Sequence, residues 1–476
     1  MNIFNIIKQE TQSYSGKTAL IEGDSDLSYG ELISRAEAFT TVLAESGIGQ
    51  FHRVGFLCSD GIDYIIVSLA LLSLSSVVVP ISVEQTATEI ESIINTINID
   101  FLVFERGVYH HLDAQSLQTK GLHKKELHVL RRRAGGALSN KYYEINPAFI
   151  RFSSGTTGKS KGIVLSHETI VERTDAANKA LMISPADTVL WVLSMHFHFV
   201  VTILLFLRRA ATIVLHKDLF PESMIRTIMT HKVTFLYASP FHYNLLCRSE
   251  SLSGESLKTV RLAISTAMKL PERTAATFHE KSGKELAEAY GIIEVGLPFI
   301  NLSGNSDKRG TVGIPLPDYE IKIADPDENG VGEIYIKGKG MLDAYFSPWQ
   351  DRNSILENGW FKTGDLGKMD SLGYLTVVGL GKNIINFAGM KVFPYEVESV
   401  LNQHPYIKES LVYGMDHAQY GQLPIAKVVL NQDVKKTPDL DNLRRFCYER
   451  LSSYKVPKDF EFVSSIPKTA SGKLRR

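Results

Sequence analysis

Ser153, Ser154, Gly155, Thr156, Thr157, Gly158, Lys159, Ser160 and Lys161 form an unbroken run of hydroxyls, glycines and lysines between Phe152 and the apolar Ile163-Val164-Leu165. Glycine lets successive backbone N–H groups turn toward one point, and such a nest attracts oxyanions. The hydroxyls add donors at the same centre, and Lys159 and Lys161 add positive charge. Holding a polyphosphate is the chemistry that this composition serves. A Walker loop would need four residues between its first glycine and the Gly-Lys-Ser/Thr, whereas Gly155 and Gly158 enclose two. No Gly-x-Gly-x-x-Gly dinucleotide fingerprint occurs in the stretch either. A polar surface loop is the bland alternative, and only the company of the run argues against it.

That company is four further segments. Ala289-Tyr-Gly-Ile-Ile-Glu-Val-Gly296 puts an aromatic, a glycine and a carboxylate into what reads as a short turn. Trp360-Phe-Lys-Thr-Gly-Asp-Leu-Gly367 reads as a strand ending in a turn that carries Asp365. Gly379-Leu-Gly-Lys-Asn-Ile-Ile385 leads into Gly389-Met-Lys-Val-Phe-Pro-Tyr-Glu-Val-Glu398, and Pro467-Lys-Thr-Ala-Ser-Gly-Lys-Leu-Arg-Arg476 ends the chain. An aromatic can lie on a nucleobase, one carboxylate can accept two ribose hydroxyls, and another can hold Mg²⁺ against phosphate oxygens. A lysine can bridge a carboxylate and a phosphate as negative charge builds in a transition state. Taken singly, Tyr290 is a core tyrosine, Glu294 and Asp365 are surface acids and Lys473 is a tail residue.

The elements that must position these groups follow from periodicity. Val54–Leu57, Val77–Ile81, Phe101–Phe104, Thr188–Val192, Thr212–Leu215 and Thr234–Tyr237 read as strands, and Leu27–Ser46 and Ile62–Leu74 as helices. This alternation implies mostly parallel sheets covered by helices. From about Thr311 the pattern shifts to short strands at Tyr319–Ile323, Gly332–Lys337 and Tyr374–Val378, a small β-rich subdomain. Beyond Gly379 come a helix at Pro394–Asn402, strands at Glu409–Tyr413 and Ile425–Leu430, and a helix at Leu440–Ser452, which together read as a small α+β domain.

The 476 residues imply two or more domains. Fifty-two basic residues balance 52 acidic ones, which argues against a nucleic-acid partner. Lys124-Lys125 through Arg131-Arg132-Arg133 is the main basic cluster and reads as a solvated loop or helix end, with an anionic partner as the minor reading. Cys58, Cys247 and Cys447 are scattered, with no disulfide framework or metal-ligand spacing, which suits a reducing cytoplasm. The N-terminus lacks a basic start followed by a long apolar run, so no signal peptide is expected. Tyr64–Val83 and Val189–Leu207 are apolar enough to suggest membrane spans. Serines and Pro80 in the first, and His196 and His198 in the second, make buried core elements the better reading.

With these motifs in order, the chain from about Thr18 onward resembles the adenylate-forming superfamily of acyl- and aryl-CoA synthetases, luciferases and peptide-synthetase adenylation domains. Leu27-Ser-Tyr-Gly-Glu-Leu32 and Val77-Val-Val-Pro-Ile81 resemble its weaker N-terminal motifs. The resemblance implies an α/β fold with a large N-terminal domain of mostly parallel sheets (residues 1–381, the β-rich subdomain about 311–381). A small mobile α+β lid, residues 382–476, would follow. It implies ATP and Mg²⁺ as cofactors. A carboxylate attacks the α-phosphate to give an acyl-adenylate and pyrophosphate, and the thiol of CoA or of a carrier protein's phosphopantetheine then takes the acyl group. Carried over by motif, Ser153 to Lys161 cradle the β- and γ-phosphates, Tyr290 and Gly291 lie against adenine, Asp365 binds the ribose and Glu294 holds the metal. Lys473 is the adenylation lysine, Lys382 the hinge, and Lys473, Glu294 and Thr157 the catalytic set. Rotation about the hinge would complete the site separately for each half-reaction.

Two positions depart from the family pattern: Ile293 stands where a threonine contacts the α-phosphate, and Leu380 where an arginine contacts the ribose. The acyl pocket is expected among His198, Thr266, Ala267, Gly296 and Leu297, with His196 as the other candidate histidine. Thr266 stands where the family often has glycine and would narrow the pocket. No acid lies between Thr188 and Lys217 to pair with the ammonium of an α-amino acid. Apolar neighbours such as Phe197, Phe199, Leu297 and Phe299 suit a fatty or aromatic acid. Lys391-Val-Phe-Pro-Tyr-Glu-Val-Glu398 is closer in style to acyl- and aryl-CoA synthetases than to peptide-synthetase domains. The leading expectation is an acid–thiol ligase using CoA. An acyl–carrier-protein ligase and a catalytically impaired nucleotide-binding relative remain as alternatives.

Overall fold

The computed structural model of the chain describes residues 1–111, 113–132, 140–153, 161–267, 269–326, 330–379, 385–392, 394–431 and 439–466. Two large sheets carry the N-terminal part. In the first, of nine strands, Pro147–Ser153, Val77–Ile81, Arg53–Leu57 and Phe101–Glu105 run parallel side by side, and Lys161–Ser166 pairs antiparallel with Pro147–Ser153. The Gly/Ser/Thr run therefore joins two adjacent strands. In the second, of eight strands, Thr18–Glu22, Thr212–Leu215, Thr188–Trp191, Phe235–Ala238, Leu262–Ser265 and Ala287–Ile292 are parallel neighbours, closed at the edges by antiparallel Ser25–Ser28 and Gly296–Ile300.

The helix Ile62–Ser73 explains the first span-like segment. Every residue from Ile62 to Leu72 is buried, and the helix packs on Val77–Ile81 of one sheet and Thr18–Glu22 of the other. A helix apolar all round belongs to an interior. Among the described residues, no helix is long and apolar enough to cross a membrane.

Two smaller sheets follow. Tyr319–Ala324, Gly332–Gly338, Phe361–Met369 and Leu375–Gly379 form an antiparallel sheet of four. Ile385–Phe387, Met390–Val392, Ile407–His417, Gly421–Leu430 and Asp459–Phe462 form a sheet of five. With the helices Pro394–Leu401 and Leu440–Tyr448 it encloses a core of its own around Val397, Val412, Val428 and Leu443.

The expected α/β class stands, with four local corrections. The helix expected from Leu27 begins at Tyr29, because Ser28 and Glu31 cap it reciprocally. The 289–296 segment is not an isolated turn: it ends the strand Ala287–Ile292 and turns into Gly296–Ile300. Asp365 lies within the nine-residue strand Phe361–Met369, where a register shift against Gly332–Gly338 bends the ladder. The basic cluster is a solvated loop only in part: Lys124 and Arg131 are exposed, Arg133 lies outside the described residues, and the rest is paired. Leu127–Arg131 is a strand on Phe101–Glu105, Lys125 pairs with Glu105 at 3.0 Å, and Arg132 pairs with Glu91 at 2.9 Å.

Candidate functional site

The carboxyl ends of the parallel strands in the eight-stranded sheet open into a cleft of about 1750 Å³, the usual place for ligands in such sheets. Tyr237, Thr266 and Tyr290 reach its wall from three of those strands or just beyond them. Asp365 arrives from the four-stranded sheet, and Asn386, Gly389 and Lys391 from the five-stranded one.

Tyr290 and Asp365, 75 positions apart, meet at this wall: the tyrosine hydroxyl donates to Asp365 Oδ2 at 2.5 Å. Burial first, then the carboxylate, pushes the Tyr290 hydroxyl pKa well up, so it stays a donor. Thr363 Oγ accepts from the Asp365 N–H at 3.0 Å and donates to the Ile334 carbonyl, fixing the bent strand. Gly291 is required sterically, since a Cβ there would overlap the Gly296 carbonyl oxygen.

Glu294 lies in the connection after that strand. Tyr345 hydrogen-bonds its carboxylate, and its backbone carbonyl accepts from Leu342 N–H at 2.7 Å. Arg173 pins the same connection from below, donating to the carbonyls of Ile293 at 3.2 Å and Gly340 at 2.9 Å. Ile293 lies at the cleft wall with its side chain against the main core. One accessible carboxylate fits Mg²⁺ held mainly through phosphate oxygens and water. It does not fit an all-protein cage, and no cluster of three metal-ligating side chains exists among the described residues.

Of the two candidate histidines, His198 lines the cleft, while His196 turns inward, its Nδ1 2.5 Å from Ser194 Oγ. Burial, then Arg151, Lys391 and His242, pushes the His198 pKa down to about 3, so the ring is neutral. Thr266, Ala267, Gly296 and Leu297 share the cleft with it. Ala267 is held at φ +71°, a left-handed conformation that costs a non-glycine residue roughly 1 kcal/mol. Two groups that the sequence reading passed over belong here. Arg151 lines the cleft beside His198, and its signal was a charge inside the apolar strand Phe149-Ile150-Arg151-Phe152. Tyr345, on a two-residue strand, had no periodic signal at all.

The hairpin Ile385–Val392 closes one side of the cleft. At its tip Gly389 has φ +84°, and a Cβ there would lie 3.5 Å from Ser239 Oγ. Behind it, Lys455 joins the C-terminal segment to the helix Ala87–Ile97, with its ammonium 2.6 Å from Glu89 and 2.8 Å from Glu396. Ser452 donates to the other Glu89 oxygen at 2.7 Å. The last helix ends at Tyr448 and does not run on to Ser452, which lies in the following segment that reaches Glu89.

Residues 154–160, Lys382 and Lys473 lie outside the described residues, as does Leu380. Ser153 and Lys161 are placed as the strand ends flanking the loop.

Residues 7–346 match the AMP-binding enzyme family, and residues 396–473 match the AMP-binding enzyme C-terminal domain. The chain belongs to the AMP-binding enzyme family. It is an ATP-dependent, adenylate-forming ligase of that family. A long-chain-fatty-acid–CoA ligase of Yersinia pestis is 25% identical over 534 residues, covering 100% of this chain and 93% of the relative. A 2-succinylbenzoate–CoA ligase of Bacillus subtilis (strain 168) is 27% identical over 488 residues, covering 99% and 96%. Among solved structures, a double mutant of o-succinylbenzoate CoA synthetase from Bacillus subtilis, bound with the product analogue OSB-NCoA, superposes with a TM-score of 0.84. It is 25% identical and covers 99% of this chain and 97% of that one.

Proposed function

We propose that the protein activates a fatty or aromatic carboxylic acid as its acyl-adenylate and passes the acyl group to the thiol of CoA. The observation that carries this reading is the convergence of Tyr290, Asp365, Glu294 and His198 on one cleft beside the strands that flank the Gly/Ser/Thr run. In it, Asp365 takes the ribose hydroxyls, oriented by the Tyr290 hydroxyl, whose ring offers its face to adenine. The run from Ser153 to Lys161, with Thr157 at its centre, holds the outer phosphates. Mg²⁺, where bound at Glu294, neutralises phosphate charge. Neutral His198 stands beside the acyl group as a hydrogen-bonding group without adding charge.

Residues 1–381 form the binding body and 382–476 the lid, turning about Lys382 and carrying Lys473 into the site for the first half-reaction. The separate core of the five-stranded sheet supports that division. The seating of the Ile385–Val392 hairpin at the cleft fits the second half-reaction, with the thiol entering past Gly389. The names of the relatives favour CoA over a carrier protein. The three free cysteines suit a cytoplasmic setting.

Exchange of labelled pyrophosphate into ATP over a panel of acids tests the first step, and thioester formation with CoA or a phosphopantetheinylated carrier tests the second. ATP binding with no exchange for any acid would leave the impaired relative as the reading. Lys473→Ala should abolish adenylate formation yet largely spare thioester formation from supplied acyl-adenylate; equal loss of both steps defeats the rotating lid. Ile293→Thr should raise the exchange rate severalfold by restoring a phosphate donor, an effect on the order of 1 kcal/mol.

A further inference from the structure

Five cations among the described residues are withdrawn from solvent: Arg53, Arg151, Arg173, Arg208 and Lys455. Arg53 holds Asp100 through Nε and Nη2 at 2.9 and 2.8 Å. Arg208 holds Glu10 at 2.7 Å and Asp175 at 2.9 Å. Lys455 has its two glutamates, and Arg173 has carbonyl oxygens with Asp343 and Glu294 in its field. Arg151, 7% exposed, has no carboxylate partner among the described residues. Its one hydrogen bond to a described residue runs from Nη1 to the Phe197 carbonyl at 2.9 Å, and its guanidinium lies 6.0 Å from the Phe197 ring centre. The adjoining stretch 152–161 contains no acidic residue that could serve.

A buried charge without a counter-charge is costly, and proteins keep one mainly where something else completes it. Arg151 lines the cleft, so a ligand can reach it. Its position selects which part of the ligand. Arg151 acts electrostatically on His196 and His198, whereas the groups acting on Tyr290 are Asp365, Thr363 and Glu294. Its hydrogen bond to the Phe197 carbonyl, next to His198, sets it on the acyl side of the cleft and not on the nucleoside side. The planar fork of a guanidinium matches a carboxylate bidentately. Resting on the acyl-activating function proposed above, we propose that Arg151 binds a second carboxylate on the acid substrate. The enzyme then activates dicarboxylic acids whose apolar spacer packs on Phe197, Val200 and Leu297.

Pyrophosphate exchange with Mg·ATP tests this on the full chain. The acids are straight-chain dicarboxylates from malonate upward and 2-succinylbenzoate, each beside a monomethyl ester that masks the second carboxylate. For at least one pair the wild type should favour the diacid by roughly 10- to 100-fold in kcat/KM. Arg151→Met should collapse that ratio through KM, and Arg151→Lys should keep part of it as a point charge. Preference of the wild type for the esters overturns the proposal. So does an equal loss on diacid and ester in Arg151→Met, which would place Arg151 at the reacting carboxylate or in the fold. If no acid supports exchange, the ligase reading is what fails. Calorimetric titration of the same diacids into nucleotide-free protein then decides this proposal: binding lost in Arg151→Met supports it, and no binding by the wild type overturns it.

Discussion

Lys455 and Arg151 are both cations taken out of water, 4% and 7% exposed, and their surroundings differ in kind. Lys455 lies between two carboxylates, Glu89 and Glu396, and Ser452 donates to the first of them. Burial works against its charge, yet Glu396, Tyr454 and Glu89 outweigh burial and hold its pKa well above the ordinary lysine value. Around Arg151 no carboxylate of a described residue opposes burial, which, with Tyr64 working against it and Arg173 adding to it, lowers the pKa to about 10. The first cation is satisfied by the protein and joins two parts of it. The second has no carboxylate beside it among the described residues and lines a cavity. Buried charge thus serves as a joint in one place and as a binding element in the other, and the presence of an acid distinguishes them.

Replacing the joint should have the largest effect. Lys455→Met leaves Glu89 and Glu396 buried side by side and should cost about 3–5 kcal/mol, measured by denaturant unfolding and by proteolysis of the C-terminal segment. Adding Glu89→Gln should recover part of that loss, because the remaining carboxylate then faces a neutral amide. Additive losses would show that the three groups do not act as one network. Arg151→Met should move the other way in ligand-free protein, gaining about 1–3 kcal/mol as an uncompensated charge is removed. A loss there would mean that the guanidinium supports the fold.

A third buried ionisable group gives the most pH-dependent effect. Glu288, 5% exposed, accepts from the Leu270 N–H at 3.0 Å through one oxygen, while the other has no partner among the described residues. Burial pushes its pKa up to about 7 from 4.5. The folded protein therefore keeps a proton that the unfolded chain has already lost, and stability falls as pH rises through that interval. Glu288→Gln should flatten the fall, worth on the order of 2 kcal/mol between about pH 5 and about pH 8, read from melting curves across pH.

The sequence carried the local half of this. Strands such as Val77–Ile81 and Thr212–Leu215 lie where alternation puts them, because burial on both faces leaves an unbroken apolar run. The motif residues Tyr290, Glu294 and Asp365 announced themselves by type and spacing, and His198 by its place in an apolar stretch. What stayed hidden was pairing over distance. Nothing near Lys455 points to Glu89, 366 positions earlier, and Glu89 reads as half of a capping box with Thr86, which it also is. Lys125 and Arg132 looked solvated because their partners, Glu105 and Glu91, come from other elements. The bend that brings Asp365 to Tyr290 depends on a register shift that no residue pattern marks.

The helix Ile62–Ser73 has a consequence for how the molecule comes apart. The helix is buried from Ile62 to Leu72 and packs on Val77–Ile81 of one large sheet, Thr18–Glu22 of the other and the helix Tyr29–Glu45, so its loss would open both sheets at once. Sheets joined through one buried helix are expected to melt in a single cooperative step, keeping the strands around the Gly/Ser/Thr run and the cleft-bearing strand ends together. The five-stranded sheet has its own interior and is free of that constraint. In the proposed mechanism, opening then falls to the C-terminal end, and the Lys455–Glu89 joint is the contact that such opening has to release.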